Sequence, residues 1–139
     1  MRYLLDTNVI SAMRRRDRLP PHVAERLAEL PSVDSYISAI SFLEIEVGIR
    51  RLERSDPVQA AGLRRWKIEW VTEGFRGRVL PVDEAVAKAC AALHVPDPRP
   101  QLDALIAATA IVHEMTLVTR NVADFSGLSI AILDPWTQV

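Results

Sequence analysis

Residues 2–6 read Arg2-Tyr3-Leu4-Leu5-Asp6, a short apolar run that ends at an acid. A run of this length and composition predicts a buried strand. Residues 9–13 follow as a short helix, for which Asp6 or Thr7 is the expected cap. The stretch therefore predicts Asp6 at the carboxyl end of a strand.

The rest of the chain repeats this alternation of strand and helix. Short apolar runs predict further strands at residues 35–38, 78–82, 116–119 and 129–133, and helical spacing predicts helices at 22–30, 39–54, 57–74, 84–94 and 101–114. The pattern predicts one α/β domain over residues 1–139, with three α/β/α layers and a mainly parallel sheet of four to five strands. Ligand sites in such folds lie beyond the carboxyl ends of the strands, where Asp6 and the residues after Thr119 are expected.

The composition is that of a folded globular protein. The 139 residues are 49% hydrophobic and 25% charged, which excludes a disordered chain and a collagen. Cys90 is the single cysteine, so an internal disulfide is impossible. The net charge of −1 means that a polyanion must be bound by a local basic patch. Because no apolar run approaches ~18 residues and no signal peptide is visible, we expect no membrane span and a cytoplasmic location.

Two glutamates of the predicted helix 39–54 are not equivalent. Glu46 faces the expected solvent side, whereas Glu44 lies between two apolar stripes, formed by Ile40, Leu43 and Val47 and by Ile45, Ile49 and Leu52. Burial of a charge without a partner is unfavourable. Glu44 is therefore either paired with Arg51 or a functional carboxylate.

Other acids stand in similar positions. Asp103 lies in the first turn of the predicted helix 101–114, which is apolar almost all round, and Asp124 follows a strand as Asp6 does. Each acid also has an ordinary interpretation as a cap, a first-turn acid or a turn residue. Together they favour one cleft in which a divalent cation offsets carboxylate repulsion. Oxygen ligands select Mg²⁺ or Mn²⁺, and since P-loop and nucleophile motifs are absent, metal-activated water is the reaction that remains.

Four segments, in order, resemble the motifs of PIN-domain proteins of the VapC type. They are residues 4–11 (LLDTNVIS), 38–48 (SAISFLEIEVG), 103–110 (DALIAATA) and 119–125 (TRNVADF). Residues 78–83 (RVLPVD) and 133–136 (LDPW) are similar to the FitB-like branch. The resemblance spans nearly the whole chain and implies a PIN-like fold.

This resemblance also implies a Mg²⁺- or Mn²⁺-dependent ribonuclease that is the toxin of a type II toxin–antitoxin pair. Asp6 and Asp103 would be the core metal ligands, Glu44 would ligate directly or through water, and Asp124 would bind a second metal or hold water. Polar support would come from Thr7, Asn8, Thr119 and Asn121. The implied partners are a second copy of the chain and a small antitoxin that covers the cleft, so that DNA is met only through the antitoxin.

RNA needs cations if it is to approach an acidic cleft. The candidates are Arg120 beside the site and Arg14, Arg15, Arg16 and Arg18 in the early loop, for which a solvated loop is the alternative interpretation. The proline-rich stretch 96–100 is shorter than its counterpart in the family and lacks glycine, so we expect a reshaped RNA cleft.

Several alternatives stay open on sequence alone. Leu63, Trp66 and Trp70 share one face of the predicted helix 57–74, and they either pack into the core or form a groove for an antitoxin helix or a second subunit. The chain is also compatible with a catalytically silent PIN-like module that only binds its partner. A third possibility is a metal-dependent nuclease that acts on DNA.

Overall fold

A five-stranded parallel sheet forms the centre of the fold in the computed structural model, which describes residues 1–137. Its strands are β1 (Tyr3–Leu5), β2 (Ser35–Ser38), β3 (Val79–Leu80), β4 (Thr116–Val118) and β5 (Ile132–Leu133), in the order β3-β2-β1-β4-β5. The helices are α1 (Thr7–Met13), α2 (Pro21–Glu29), α3 (Ala39–Glu53), α4 (Pro57–Trp66), α5 (Glu84–Leu93) and α6 (Gln101–Val112). The predicted α/β fold with a parallel sheet is confirmed, although β3 and β5 are shorter than the strands predicted at 78–82 and 129–133.

Helices cover both faces of the sheet because the strands are apolar on both sides. Leu4 and Leu5 are 0% and 2% exposed, and consecutive strand residues point to opposite faces. Leu5 packs with residues of α1, α2 and α3, while Leu4 packs with Ile106 of α6. Double burial of this kind is typical of parallel sheets. No helix within residues 1–137 combines the length and apolarity needed to cross a bilayer.

The order of the strands determines where a ligand site forms. From β1 the chain proceeds outward to β2 and β3, and it then returns to add β4 and β5 on the other side of β1. Ligands of open α/β sheets bind at such a reversal, beyond the carboxyl ends of the strands. Leu5 is paired with Val118, and the Asp6 N–H donates to the Val118 carbonyl oxygen at 2.9 Å. Asp6 and Thr119 therefore lie side by side at the reversal.

The helix predicted at 57–74 changes its geometry midway. The α-helical part ends at Trp66, and Lys67–Thr72 is π-helical, with the Glu73 N–H donating to the Ile68 carbonyl oxygen five residues earlier. A Cβ at Gly74 would clash with the carbonyl oxygen of Trp70, so the close turn requires glycine. The wider turn directs Trp70 outward, where it is 69% exposed.

The predicted apolar face of this helix is therefore divided. Leu63 and Trp66 pack against the core, as the packing interpretation expected, but Trp70 does not. The loop predicted at 14–21 contains a short 3₁₀ turn, Arg16–Arg18, before α2 begins. The proposal of one domain over residues 1–139 stays a prediction, since residues 138 and 139 lie outside the described range.

Candidate active site

Asp6 is buried at the carboxyl end of β1 and caps α1. Its Oδ1 accepts a hydrogen bond from the Thr7 N–H at 2.8 Å, and its Oδ2 accepts from the Thr119 hydroxyl at 2.8 Å and from Asn8 Nδ2 at 3.2 Å. The side chain therefore caps α1, as the ordinary interpretation of this acid predicted. Because a carboxylate oxygen has two lone pairs, Oδ1 retains one for a further ligand.

The four candidate acids share one electrostatic environment. Burial raises the pKa of Asp6, and the charges of Glu44 and Asp124 raise it further, against the hydrogen bonds from Thr119 and Thr7 that lower it. Burial also raises the pKa of Asp103, with Asp6 and Asp124 as the next causes. Asp6 therefore interacts with each of the other three acids, as expected for carboxylates that converge in one cleft.

Asp103 and Asp124 lie on two other elements, α6 and the turn that follows β4. Asp103 lies in the first turn of α6, is half-buried, and has no side-chain hydrogen bond within residues 1–137. Asp124 is exposed on the 3₁₀ turn Val122–Phe125, which the buried Phe125 anchors in the core. These placements leave both carboxylates free to bind a ligand.

The proline-rich stretch 96–100 is fastened beside this turn. The Arg99 N–H donates to Nδ1 of His94 at 3.1 Å, and Arg99 Nη2 donates to the Ser126 carbonyl oxygen at 3.1 Å. The stretch thereby connects the end of α5 to the segment that carries Asp124. Its expected effect on an RNA cleft stays a prediction.

Glu44 has a hydrogen-bond partner other than the one considered from sequence. Its Oε1 accepts from the Thr7 hydroxyl at 2.7 Å, and the Thr7 oxygen also lies 2.9 Å from the hydroxyl of the fully buried Ser41. The alternative pairing with Arg51 is wrong, since Arg51 makes no ion pair within the described residues. Ser41 was missed as a supporting residue, although its position three residues before Glu44 places both on one helix face.

Glu46 is not the solvated acid that its position predicts. It accepts hydrogen bonds from Lys67 at 2.7 Å, Arg64 at 3.1 Å and Arg50 at 2.7 Å, and these bonds lower its pKa to about 2. Arg64 and Lys67 lie outside α3, so the residue pattern of that helix alone could not predict their bonds to Glu46. Leu43, assigned to an apolar stripe, is 47% exposed. Glu46 therefore connects α3 to the following helix, and Glu44 remains the candidate functional acid.

Three of the four predicted supporting residues contact an acid directly, namely Thr7, Asn8 and Thr119. Asn8 also accepts the Arg120 N–H at 3.3 Å through its Oδ1. Asn121 differs, because only its backbone N–H participates, donating to the Thr119 hydroxyl oxygen at 3.0 Å. Its side chain makes no hydrogen bond among residues 1–137.

The candidate RNA-binding arginines lie at different distances from the acids. Arg14 and Arg15 line a cavity of about 360 Å³ that also contacts Thr7 and Glu44. Arg16 lines a neighbouring cavity of about 330 Å³ beside Trp66 and Trp70, away from the acids. Arg18 is exposed and contacts neither cavity. Arg120 is exposed, and its guanidinium lies over the ring of Trp136, 5.3 Å from the centroid.

The donor set fits a hydrated hard cation better than a closed metal cage. Within residues 1–137, no three His, Cys, Asp or Glu side chains lie close enough to enclose a metal ion directly. The charges of Asp6 and Asp124 nevertheless raise the pKa of Asp103, and the charges of Glu44 and Asp124 raise that of Asp6, so the acids act on one another electrostatically. The two findings agree for Mg²⁺, which keeps several water ligands and is commonly bound through one or two carboxylates.

Comparison with known proteins gives a consistent result. A family model described as "PIN domain" matches residues 3–128. Toxin FitB of Neisseria gonorrhoeae is 34% identical over 96% of this chain and 97% of its own length, and the VapC ribonuclease Y4jK of Sinorhizobium fredii is 28% identical over 96% of both. A solved structure of FitAB bound to an IR36 DNA fragment has a TM-score of 0.85 at 33% identity, covering 99% of this chain and 97% of the matched one. The chain therefore belongs to the PIN-domain family and resembles its FitB and VapC members.

Proposed function

We propose that this chain is a Mg²⁺- or Mn²⁺-dependent endoribonuclease that acts as the toxin of a toxin–antitoxin pair. The observation that carries the proposal is the position of Asp6. It lies at the reversal of the strand order and interacts with Glu44, Asp103 and Asp124. The similarity to a toxin and to a ribonuclease of the same family supports this function over that of a generic acidic cleft.

Each acid then has a defined part in hydrolysis of an RNA phosphodiester. Asp6 and Asp103 would hold the cation, which, when bound, activates a water and neutralises charge on the phosphate. Thr7 fixes Glu44 at 2.7 Å, so that this carboxylate can hold a water or the cation's hydration shell. Asp124, on the exposed rim, can orient a further water or a second cation. Its exposure allows it to contact the RNA strand without a rearrangement of the core.

The proposal is tested by cleavage of RNA by the purified protein. We expect cleavage with Mg²⁺ or Mn²⁺, loss of cleavage with EDTA, and recovery when the cation is added back. Asp6→Asn and Asp103→Asn should reduce cleavage to background while circular dichroism stays unchanged. Glu46→Gln is the matched control, because this acid belongs to a structural ion-pair network. Full activity of either Asn variant would refute the site.

Two other functions are separated by simple comparisons. Cleavage of single-stranded DNA but not of RNA of the same base sequence would favour the DNA nuclease. A silent binding module would neither cleave RNA nor arrest growth on expression. We expect growth arrest that Asp6→Asn relieves.

We further propose that an antitoxin covers the apolar surface formed by Met13 and Trp70, which line the same cavity, and that this chain reaches DNA only through that partner. These side chains are 41% and 69% exposed, and neighbouring exposed apolar side chains of this kind are typical of an interaction surface. The similar FitAB structure contains DNA.

Trp70→Asp should abolish co-purification of the cognate antitoxin, whereas Val58→Asp, which changes an exposed residue of α4 outside this surface, should not. Light scattering of the isolated chain tests the proposed homodimer.

A further inference from the structure

Arg120 is held at both its backbone and its side chain directly beside the acidic cleft. Its N–H donates to Asn8 Oδ1 at 3.3 Å, and the preceding residue, Thr119, donates to the Asp6 carboxylate. Because consecutive Cα atoms are ~3.8 Å apart, the Cα of Arg120 lies that far from the Cα of Thr119, the residue that is hydrogen-bonded to Asp6. Its guanidinium lies 5.3 Å from the centroid of the Trp136 ring. The position of this cation is therefore determined by the fold.

The pair differs from the other cation–π pairs within residues 1–137. In each of those, the cation also has a hydrogen-bond acceptor: Arg2 over Tyr36 donates to the His113 carbonyl, Lys67 over Phe42 donates to Glu46, and Arg78 over Phe75 donates to the Ser35 carbonyl. The Arg120 guanidinium donates no hydrogen bond to any described residue. Among residues 1–137, none of its five N–H groups therefore has an acceptor.

The ring that orients Arg120 is itself fixed by the fold. The backbone N–H of Trp136 donates to Asp134 Oδ1 at 2.9 Å, and the backbone carbonyl oxygen of Trp136 lies 3.3 Å from Nε2 of His22. Arg26 donates to the carbonyl of the buried Pro135 at 3.3 Å, and the indole packs against the core. A rigid ring restricts the guanidinium before any ligand arrives, which reduces the entropy lost on binding.

We infer that Arg120, oriented by Trp136, forms a binding subsite for a phosphate of single-stranded RNA next to the phosphate that is cleaved. The inference rests on the proposed ribonuclease function and adds a recognition element to it. Arginine is suited to the task because its planar fork matches two phosphate oxygens. Tryptophan is the aromatic side chain that holds a cation best. Trp136 is thus a positioning residue, and Arg120 is the residue that contacts the substrate.

The test measures binding of a short single-stranded RNA of mixed sequence by the Asp6→Asn protein, which does not cleave it, at several salt concentrations. Arg120→Ala should weaken binding about five- to tenfold and reduce the slope of log K against log salt by about 0.7, the value for one phosphate contact of a single strand. Arg54→Ala removes the same charge at the far end of α3, roughly 15 Å along the helix from Glu44, and should change affinity less than twofold.

Variants of the ring separate positioning from a general structural effect. Trp136→Leu should weaken binding about two- to fivefold without changing the salt slope, because the charge is still present. Trp136→Phe should recover most of that loss. In the Arg120→Ala background, Trp136→Leu should have no further effect, since its only route to the RNA is gone.

The outcomes distinguish this inference from the proposed function. Equal effects of Arg120→Ala and Arg54→Ala, or an equal loss from Trp136→Leu with and without Arg120, overturn the inference even if the wild type cleaves RNA. The expected binding pattern without cleavage by the wild type leaves the subsite standing and refutes the ribonuclease. Absence of RNA binding overturns both. If Trp136→Leu does not fold, Arg120→Lys decides: it should keep the salt slope and lose affinity about two- to fivefold.

Discussion

Replacement of Asp103 by asparagine should abolish cleavage and at the same time stabilise the fold. Asp103 is half-buried, lacks a hydrogen-bond donor among the described residues, and is repelled by Asp6 and Asp124. The asparagine keeps the shape and removes the charge. A purely structural first-turn acid would behave in the opposite way, because its charge interacts favourably with the helix dipole. The sign of the stability change therefore separates the two interpretations of this residue.

The magnitude follows from two opposing contributions. Relief of burial and like-charge repulsion is worth about 1–2 kcal/mol after a discount for the partial exposure of the side chain. Loss of the interaction with the helix dipole costs about 0.5 kcal/mol. The net gain of about 1 kcal/mol corresponds to a rise in Tm of about 4 °C for a chain of this size.

The gain should depend on pH. Because the folded state raises the pKa of Asp103 above its ordinary value of 3.8, the ionised form is disfavoured in the folded protein. The penalty is complete above the folded-state pKa, decreases as the pH falls through that value, and vanishes below 3.8. The variant should thus be more stable than the wild type at pH 7 and equal to it near about pH 3.

Thermal unfolding at both pH values, with and without Mg²⁺, measures these effects. Cation at about 100 times its Kd should stabilise the wild type by about 2.7 kcal/mol and the variant by much less. Glu84→Gln is the matched control, since Glu84 is an exposed first-turn acid of α5 and should lose a few tenths of a kcal/mol. Destabilisation of Asp103→Asn at pH 7 would refute the reasoning.

Three further pairs of variants test other parts of the structure. Glu44→Gln should reduce cleavage and leave stability nearly unchanged. Glu46→Gln should keep cleavage but lose the stabilisation from its ion pairs, which the wild type also loses as the pH falls from about 4.5 to about 2. Equal activities of the two variants would contradict the assignment of Glu44 to the active site. Thr119→Val should cost about 2 kcal/mol in chemical denaturation, because it leaves a buried carboxylate oxygen without its hydroxyl donor, and Thr119→Ser should cost clearly less. Gly74→Ala should destabilise the fold by about 1–3 kcal/mol, because the added Cβ clashes with a backbone carbonyl. Gly62→Ala lies in mid-helix with nothing within 4 Å of the added Cβ, and it should stabilise the fold by about 0.5–1 kcal/mol. Equal Tm values for these two variants would disprove the requirement for glycine at the end of the π-helical segment.

Local patterns predicted the elements well where one period describes the whole segment. They failed for the helix after Asp56, because a π-turn leaves the composition unchanged and alters only the spacing of the hydrogen bonds. They also failed for Glu46, whose partners Arg64 and Lys67 lie 18 and 21 residues further along the chain. Interactions at such separations depend on how two helices pack, which no single-helix analysis contains.

The sequence by itself determined the alternation of buried strands and amphipathic helices. It therefore also determined that Asp6 follows a strand and that Asp103 lies in the first turn of a helix. Both follow from neighbouring residues, because burial pattern and capping are local properties of the chain. Only the tertiary structure decided which distant groups meet. The pairing of β1 with β4 brings Thr119 to Asp6, and the packing of α1 on α3 gives Glu44 the hydroxyl of Thr7. Strand register and helix packing are set by the whole core at once, so these contacts become defined only when the chain has folded.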